Sequence, residues 1–213
     1  MYNKLLNIDN IAIILGGLPG AGKSTIASTF VNKDFLYICK DVIRYELARR
    51  KYGDKPETLL DEYLMKFNRD VHPVIESMIN SYFAKHLVIS YIDDSKMSVQ
   101  NQLYAKDYLH TIDFSNCKGI IFDATYFNSK QRKTEIQRIN KRIPIYSIYI
   151  NKTVDECYRG VEKRAATVVD TYNGEDVYGR YVPREVIEQM KKFESLPKKE
   201  EGFEEVFIID NKF

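Results

Sequence analysis

The chain has 213 residues, enough for one α/β domain with a sizeable core, and its 44% hydrophobic and 29% charged residues exclude a largely disordered protein. With 32 basic against 30 acidic residues the net charge is +2, too even to point to a nucleic-acid partner, although a basic patch can sit on a nearly neutral protein. Cys39, Cys117 and Cys157 are widely spaced and form no C-x-x-C, which argues against a disulfide framework or a zinc site and for reduced thiols in a cytoplasmic protein.

The N-terminal segment carries no long apolar stretch. The run Ile11 to Leu15 is too short for a signal-peptide core or a membrane span, so no membrane partner is expected. From Ile11 to Gly16 the residues are continuously apolar and end in glycines, the pattern of a buried parallel strand. A helix is expected from Lys23 to about Asn32, a second strand over Phe35 to Cys39, and a helix from Asp41 to Lys51. Helical spacing then runs from Pro56 to about Lys85, with Pro73 expected to kink or interrupt it. Leu87 to Asp113 reads less regularly, with a helix from Met97 to Leu109, and 84–117 has the look of an insertion. Lys118 to Asp123 predicts a strand, Asn128 to Arg142 a cation-rich helix, Ile143 to Ile150 a strand and Val154 to Arg164 a helix. A polar loop follows to Tyr181, then a helix opened by Pro183 and a last strand over Glu205 to Ile209. The alternation predicts one α/β domain over 1–213, with about five parallel strands flanked by helices.

The segment Gly17-Leu18-Pro19-Gly20-Ala21-Gly22-Lys23-Ser24 fits G-x-x-x-x-G-K-[ST] at every fixed position, between an apolar strand and a helix. Phosphates need close wrapping by backbone N–H groups. Glycines permit the required dihedrals, and the new helix aims its positive end at the anion. The expected ligand is ATP with Mg²⁺. Lys23 would reach the β- and γ-phosphates, Ser24 would place its hydroxyl on Mg²⁺, and Thr25 would follow it in the binding turn. The P-loop does not name the acceptor.

After the second strand the chain reads Lys40-Asp41-Val42-Ile43-Arg44. A carboxylate there could accept the proton of an attacking hydroxyl, and an arginine three residues on could hold an acceptor phosphate. The competing reading makes Asp41 a helix cap and Arg44 a solvated surface residue. Taken together, GGLPGAGKST, KDVIR, IIFDATYFN and RYVPREVIEQMKKFE resemble the kinase domain of phage-type 5′-polynucleotide kinases over about 11–50, 118–164 and 180–209. The resemblance implies that Asp41 is the general base for a 5′-hydroxyl and that Arg44 contacts the phosphate on the 3′ side of the acceptor nucleotide. It does not reach 53–117.

Asp123 ends the third strand, where it could orient Mg²⁺ through water or brace the acceptor, with Thr125 beside it. The family pattern D-x-T-N is broken here, because Tyr126 and Phe127 displace Asn128. Cys157 to Arg164 resembles the lid (153–182). Arg164 is the expected catalytic cation and Arg159 the expected helper on ATP, although the family's arginines recur after three or four residues, and here Arg159 is followed by Lys163 at four and Arg164 at five. On the cationic helix, Arg132 and Lys133 are the candidates for a polynucleotide backbone, against a solvated charged face as the alternative. No D-x-D-x-[TV] phosphatase motif occurs. The expected activity is transfer of the ATP γ-phosphate to the 5′-hydroxyl of a nucleic acid. The rivals are a kinase of a small molecule, nucleotide or modified base, and an ATP-switched binding module. DNA against RNA, and a homo-oligomer against a monomer, stay open.

Overall fold

The computed structural model describes residues 2–53, 61–85, 97–172, 175–178 and 181–210. They fall into two compact units, one from the described residues of 1–37, 118–171 and 176–213, the other from those of 38–117 and 172–175.

The first unit is built on strand β1 (Ala12–Gly17), whose six residues are all buried. It pairs in parallel with β3 (Gly119–Asp123) on one side and β4 (Ile145–Asn151) on the other, and β4 pairs in parallel with β7 (Glu205–Asp210). With β2 (Phe35–Cys39) at the far edge, the order is β2-β3-β1-β4-β7 in an all-parallel sheet flanked by helices. Side chains alternate across a strand, so Ile13, Leu15, Ile121, Ile148, Ile150 and Phe207 share one face. They pack with Ile26, Ala27 and Phe30 of α1 (Lys23–Val31), Cys157 and Val161 of α7 (Val154–Ala165) and Ile187 of α8 (Arg184–Lys192). On the other face Ala12, Ile14, Ile120, Phe122 and Tyr149 are buried too, as central strands of a two-sided parallel sheet require.

From β1 the chain goes through α1 to β2 on one side, then returns to β3. It crosses to β4 on the other side through α6 (Ser129–Ile139). The strand order therefore reverses at β1, and the carboxyl ends of β1 and β3 border the crevice where open α/β sheets bind ligands. The expected strands appear within a residue or two of their predicted ends.

The second unit is helical, with α2 (Lys40–Tyr52), α3 (Asp61–Met65), α4 (Val71–Ala84) and α5 (Val99–His110). Where sequence periodicity predicts one helix to about Lys85, α3 and α4 are separate, divided by turns at 66–70. Pro73 lies in the first turn of α4, where its missing N–H costs nothing, so it helps to start a helix rather than bend one. The start of that predicted helix, and residues 86–96, lie outside the described residues. The stretch predicted as a loop to Tyr181 instead contains a two-stranded sheet of β5 (Val168–Tyr172) and β6 (Glu175–Tyr178). The run Val-Val-Asp-Thr-Tyr of β5 favours an extended chain. Among the described residues no helix is long and apolar enough to cross a membrane.

Candidate functional site

The loop between β1 and α1 has the backbone that its glycines permit. Gly17, Gly20 and Gly22 have φ of 141°, 80° and 101°, angles that L side chains rarely adopt. Gly22 is the N-cap of α1, and no side chain caps the helix there. A Cβ built on Gly22 would meet nothing within 4 Å, so open space lies over the helix N-terminus. An anion fits such a place, because the first-turn amides and the helix dipole both face it. The side chains of Leu18 and Ala21 belong to the core, so these residues can offer only backbone to a ligand. Pro19 is buried and has no N–H, so it shapes the loop without donating. Lys23 Nζ donates to the carbonyls of Gly17 (3.0 Å) and Leu18 (2.9 Å), which holds the ammonium across the loop. Ser24 and Thr25 are exposed in the first turn of α1.

Asp123 is level with Leu15 in the β1–β3 register, and only 4% of it is exposed. Its Oδ2 accepts from Ser24 Oγ at 3.5 Å and from Tyr37 OH at 2.8 Å. Among the described residues no group of three or more His, Cys, Asp or Glu could hold a metal ion. One carboxylate beside one hydroxyl is still the donor set with which Mg²⁺ works when phosphates complete its shell. Thr125 acts through its backbone, its carbonyl accepting from Gly17 N–H at 2.8 Å. Tyr37 was not singled out from the sequence. The available signal is its place in Phe-Leu-Tyr-Ile-Cys, a polar-tipped ring at a half-buried position of an apolar strand.

Helix α7 touches the loop at main-chain distance. A Cβ on Gly20 would stand 2.0 Å from the Cys157 carbonyl oxygen, and one on Gly160 would stand 2.2 Å from the Gly20 carbonyl oxygen. Each glycine therefore admits the other's backbone. The contact fixes which face of α7 meets the loop: Cys157, Gly160 and Val161. At 3.6 residues per turn Arg164 lies about 20° around the helix from Cys157, while Arg159 lies roughly 160° away and Lys163 roughly 120°. All three cations are exposed, and Arg164 alone shares the loop-facing stripe. Cys157 is fully buried, and burial pushes its thiol up to about 11 against the lowering pull of Lys23 and two further lysines.

In the second unit, Asp41 follows two residues after the end of β2. The N-cap of α2 is Cys39, so Asp41 is not the cap. Arg44 Nη1 donates to Asp41 Oδ1 at 2.6 Å, and Arg44 Nε donates to Asn68 Oδ1 at 2.7 Å. The arginine side chain is 17% exposed and the aspartate side chain 62%. Arg44 is thus a held guanidinium, not a freely solvated one, and it carries an exposed carboxylate.

No protein-family model matches the chain, and no curated protein matches it. A putative kinase from Chloroflexus aurantiacus j-10-fl matches in structure with a TM-score of 0.50 at 13% identity, over 96% of this chain and 90% of that one. A gluconokinase from Sinorhizobium meliloti 1021 matches with a TM-score of 0.48 at 8% identity, over 97% and 86%. The chain has the P-loop kinase fold. At such identities the likeness is one of fold, and the acceptor has to be argued from residues.

Within this P-loop kinase fold the cationic helix α6 does not offer the surface that its sequence suggests. Arg132 is completely buried and bound to Glu201, so its guanidinium is not presented to a polynucleotide. The sequence places it among lysines but cannot show that it points inward. Arg138 pairs with the buried Glu135, and Arg142 donates to the carbonyls of Arg138 and Ile139 at the helix end. Lys130, Lys133 and Lys141 are exposed.

Proposed function

We propose that the chain is an ATP- and Mg²⁺-dependent phosphotransferase. The observation that carries this reading is the convergence, at the carboxyl ends of β1 and β3, of the glycine loop, Lys23 and the Ser24–Asp123 pair. ATP·Mg²⁺, when bound, supplies a γ-phosphoryl group and the positive charge that prepares it for transfer. The loop amides and Lys23 hold the phosphates, and Ser24 and Asp123 hold the metal. Arg164 meets the charge that grows on the transferred group. Asp41 takes the proton from the acceptor hydroxyl, and Arg44 holds both Asp41 and an acceptor anion.

The acceptor we favour is the 5′-hydroxyl of DNA or RNA, because the D-x-x-R pair of α2 is formed and Arg44 is held in place. A specific observation supports a second reading, in which the acceptor is a small molecule, a nucleotide or a modified base. Two of the α6 cations, Arg132 and Arg138, are turned to internal bonds. The test is to incubate the protein with Mg²⁺ and γ-labelled ATP against 5′-hydroxyl RNA, single-stranded and duplex DNA, nucleoside 3′-monophosphates and free nucleosides. Label on 5′-hydroxyl ends, absent from 5′-phosphorylated controls, supports the first reading. Label on nucleosides or their monophosphates alone supports the second. ATP bound with no labelled product from any acceptor in a wider panel would favour an ATP-switched binding module.

A further inference from the structure

We infer that Arg132 is a positioning residue of the phosphate site, a clamp that holds the β3–α6 loop against the glycine loop. The inference rests on the reading of that loop as an ATP·Mg²⁺ site. A guanidinium out of water is costly unless its donors are used, and here all three of its nitrogens donate, in four hydrogen bonds. Nε and Nη2 donate to the two carboxylate oxygens of Glu201 at 2.8 and 2.7 Å. Nη1 donates to the carbonyls of Tyr126 (3.0 Å) and Ser195 (2.8 Å). One side chain thus joins three stretches of chain: the loop after β3, the segment after α8, and the turn before β7.

Each bond bears on the site through a short path. Tyr126 is a non-glycine residue at φ 38°, a conformation that costs energy and persists only where the surroundings enforce it. Its ring is buried, its hydroxyl donates to Glu135 at 3.2 Å, and its carbonyl is the one that Arg132 holds. That bend turns the chain between Asp123 and Asn128, the N-cap of α6, and so places the Thr125 carbonyl on Gly17 N–H. Ser195 reinforces the same loop, its N–H donating to the Phe127 carbonyl at 2.8 Å and its Oγ accepting from Ser129 N–H at 3.1 Å. Releasing Arg132 therefore frees the bend, then the Thr125–Gly17 bond, then the alignment of Asp123 with Ser24. Lysine cannot replace it, because one ammonium cannot span a bidentate carboxylate and two carbonyls.

The test uses Arg132→Lys in the full chain. Amide exchange of Gly17 is followed without nucleotide, with the amides of β4 as an internal control, and ATP·Mg²⁺ affinity is measured by calorimetry. The expected result is selectively faster exchange at Gly17 and an affinity lower by about tenfold or more, the usual scale for losing an outer-shell support. A lower melting temperature with Gly17 exchange and affinity like the wild type overturns the inference, since that is what a purely structural arginine would give. If Arg132→Lys does not fold, Glu201→Ala is read in the same way, because it removes the bidentate partner from the surface side. Failure of the wild type to bind ATP·Mg²⁺ would count against the proposed function, while the Gly17 exchange still decides the clamp.

Discussion

Asp41 is the residue on which the chemistry of the proposed reaction turns, and it can be tested apart from nucleotide binding. Asp41→Asn keeps an oxygen for Arg44 Nη1, now 2.6 Å from Oδ1, but cannot take a proton. Turnover should fall by about 10²- to 10⁴-fold, the range for loss of a general base, while ATP affinity stays within error. Single-turnover transfer alongside calorimetry separates the two, and wild-type turnover would remove Asp41 from the role. The α7 cations give a second contrast. Arg164→Ala should cost about a hundredfold or more in kcat, as loss of a transition-state donor does. Arg159→Ala, roughly 160° around the helix from Cys157, should cost only a few-fold. Equal losses would mean that the stripe through Cys157, Gly160 and Val161 is not what selects the cation. At this scale the sequence is informative where a residue's role follows from its place in a motif, as for Lys23 and Ser24. It is silent where the role depends on direction, as for Arg132, which reads as one more cation on a basic helix until its burial is known.

Among the elements, the contact between α7 and the glycine loop carries the sharpest test, because two principles disagree on its sign. Alanine is the better helix former by about 1 kcal/mol, so propensity alone predicts that Gly160→Ala stabilises α7. The new Cβ would stand 2.2 Å from the Gly20 carbonyl oxygen, and forcing loop and helix apart should cost about 1–3 kcal/mol. We expect the clash to win, with net destabilisation in urea unfolding and weaker ATP·Mg²⁺ binding. A more stable protein with intact affinity would show that the helix can stand off the loop freely. The strands of the sheet were legible because a strand buried on both faces must be apolar throughout, as Ala12 to Leu15 are. The β5–β6 sheet is not read from the sequence because the glycine in this stretch weighs as a loop signal against the β-branched run before it. The division of α3 from α4 was missed because helical spacing continues in phase through the turns at 66–70.

For the molecule as a whole, the two compact units differ in how much a sequence can say of them. The sheet unit has the glycine-loop motif to anchor it, whereas beyond Asp41 and Arg44 the helical unit has only periodicity, which marks helices but not their partners. One buried pair in the helical unit offers a test that leaves the glycine loop untouched. Asp70, at the start of α4, is buried and accepts from Asn101 Nδ2 of α5 at 3.0 Å, while Asn101 Oδ1 is buried and has no hydrogen-bond partner among the described residues. Burial raises the Asp70 carboxyl above its usual 3.8, by more than the Asn101 bond and the charge of Lys51 lower it. The folded state therefore disfavours the ionised form. That penalty is absent below 3.8, where the carboxyl is protonated folded or unfolded, and is full once the pH passes the raised folded value. Asp70→Asn removes the penalty and brings an amide that can accept from Asn101 Nδ2 and donate to its orphaned Oδ1. At pH 7 the gain should be about 1 kcal/mol for the satisfied group, or about 2–4 °C in melting temperature for a chain of this size. The gain should shrink as the pH falls toward 3.8, because the wild-type carboxyl then becomes neutral too. Thermal melts of both proteins from pH 7 to pH 4 decide it. A lower melting temperature for Asp70→Asn at pH 7 would mean that the ionised carboxylate, with Lys51 near it, holds α4 to α5 better than a neutral amide pair can.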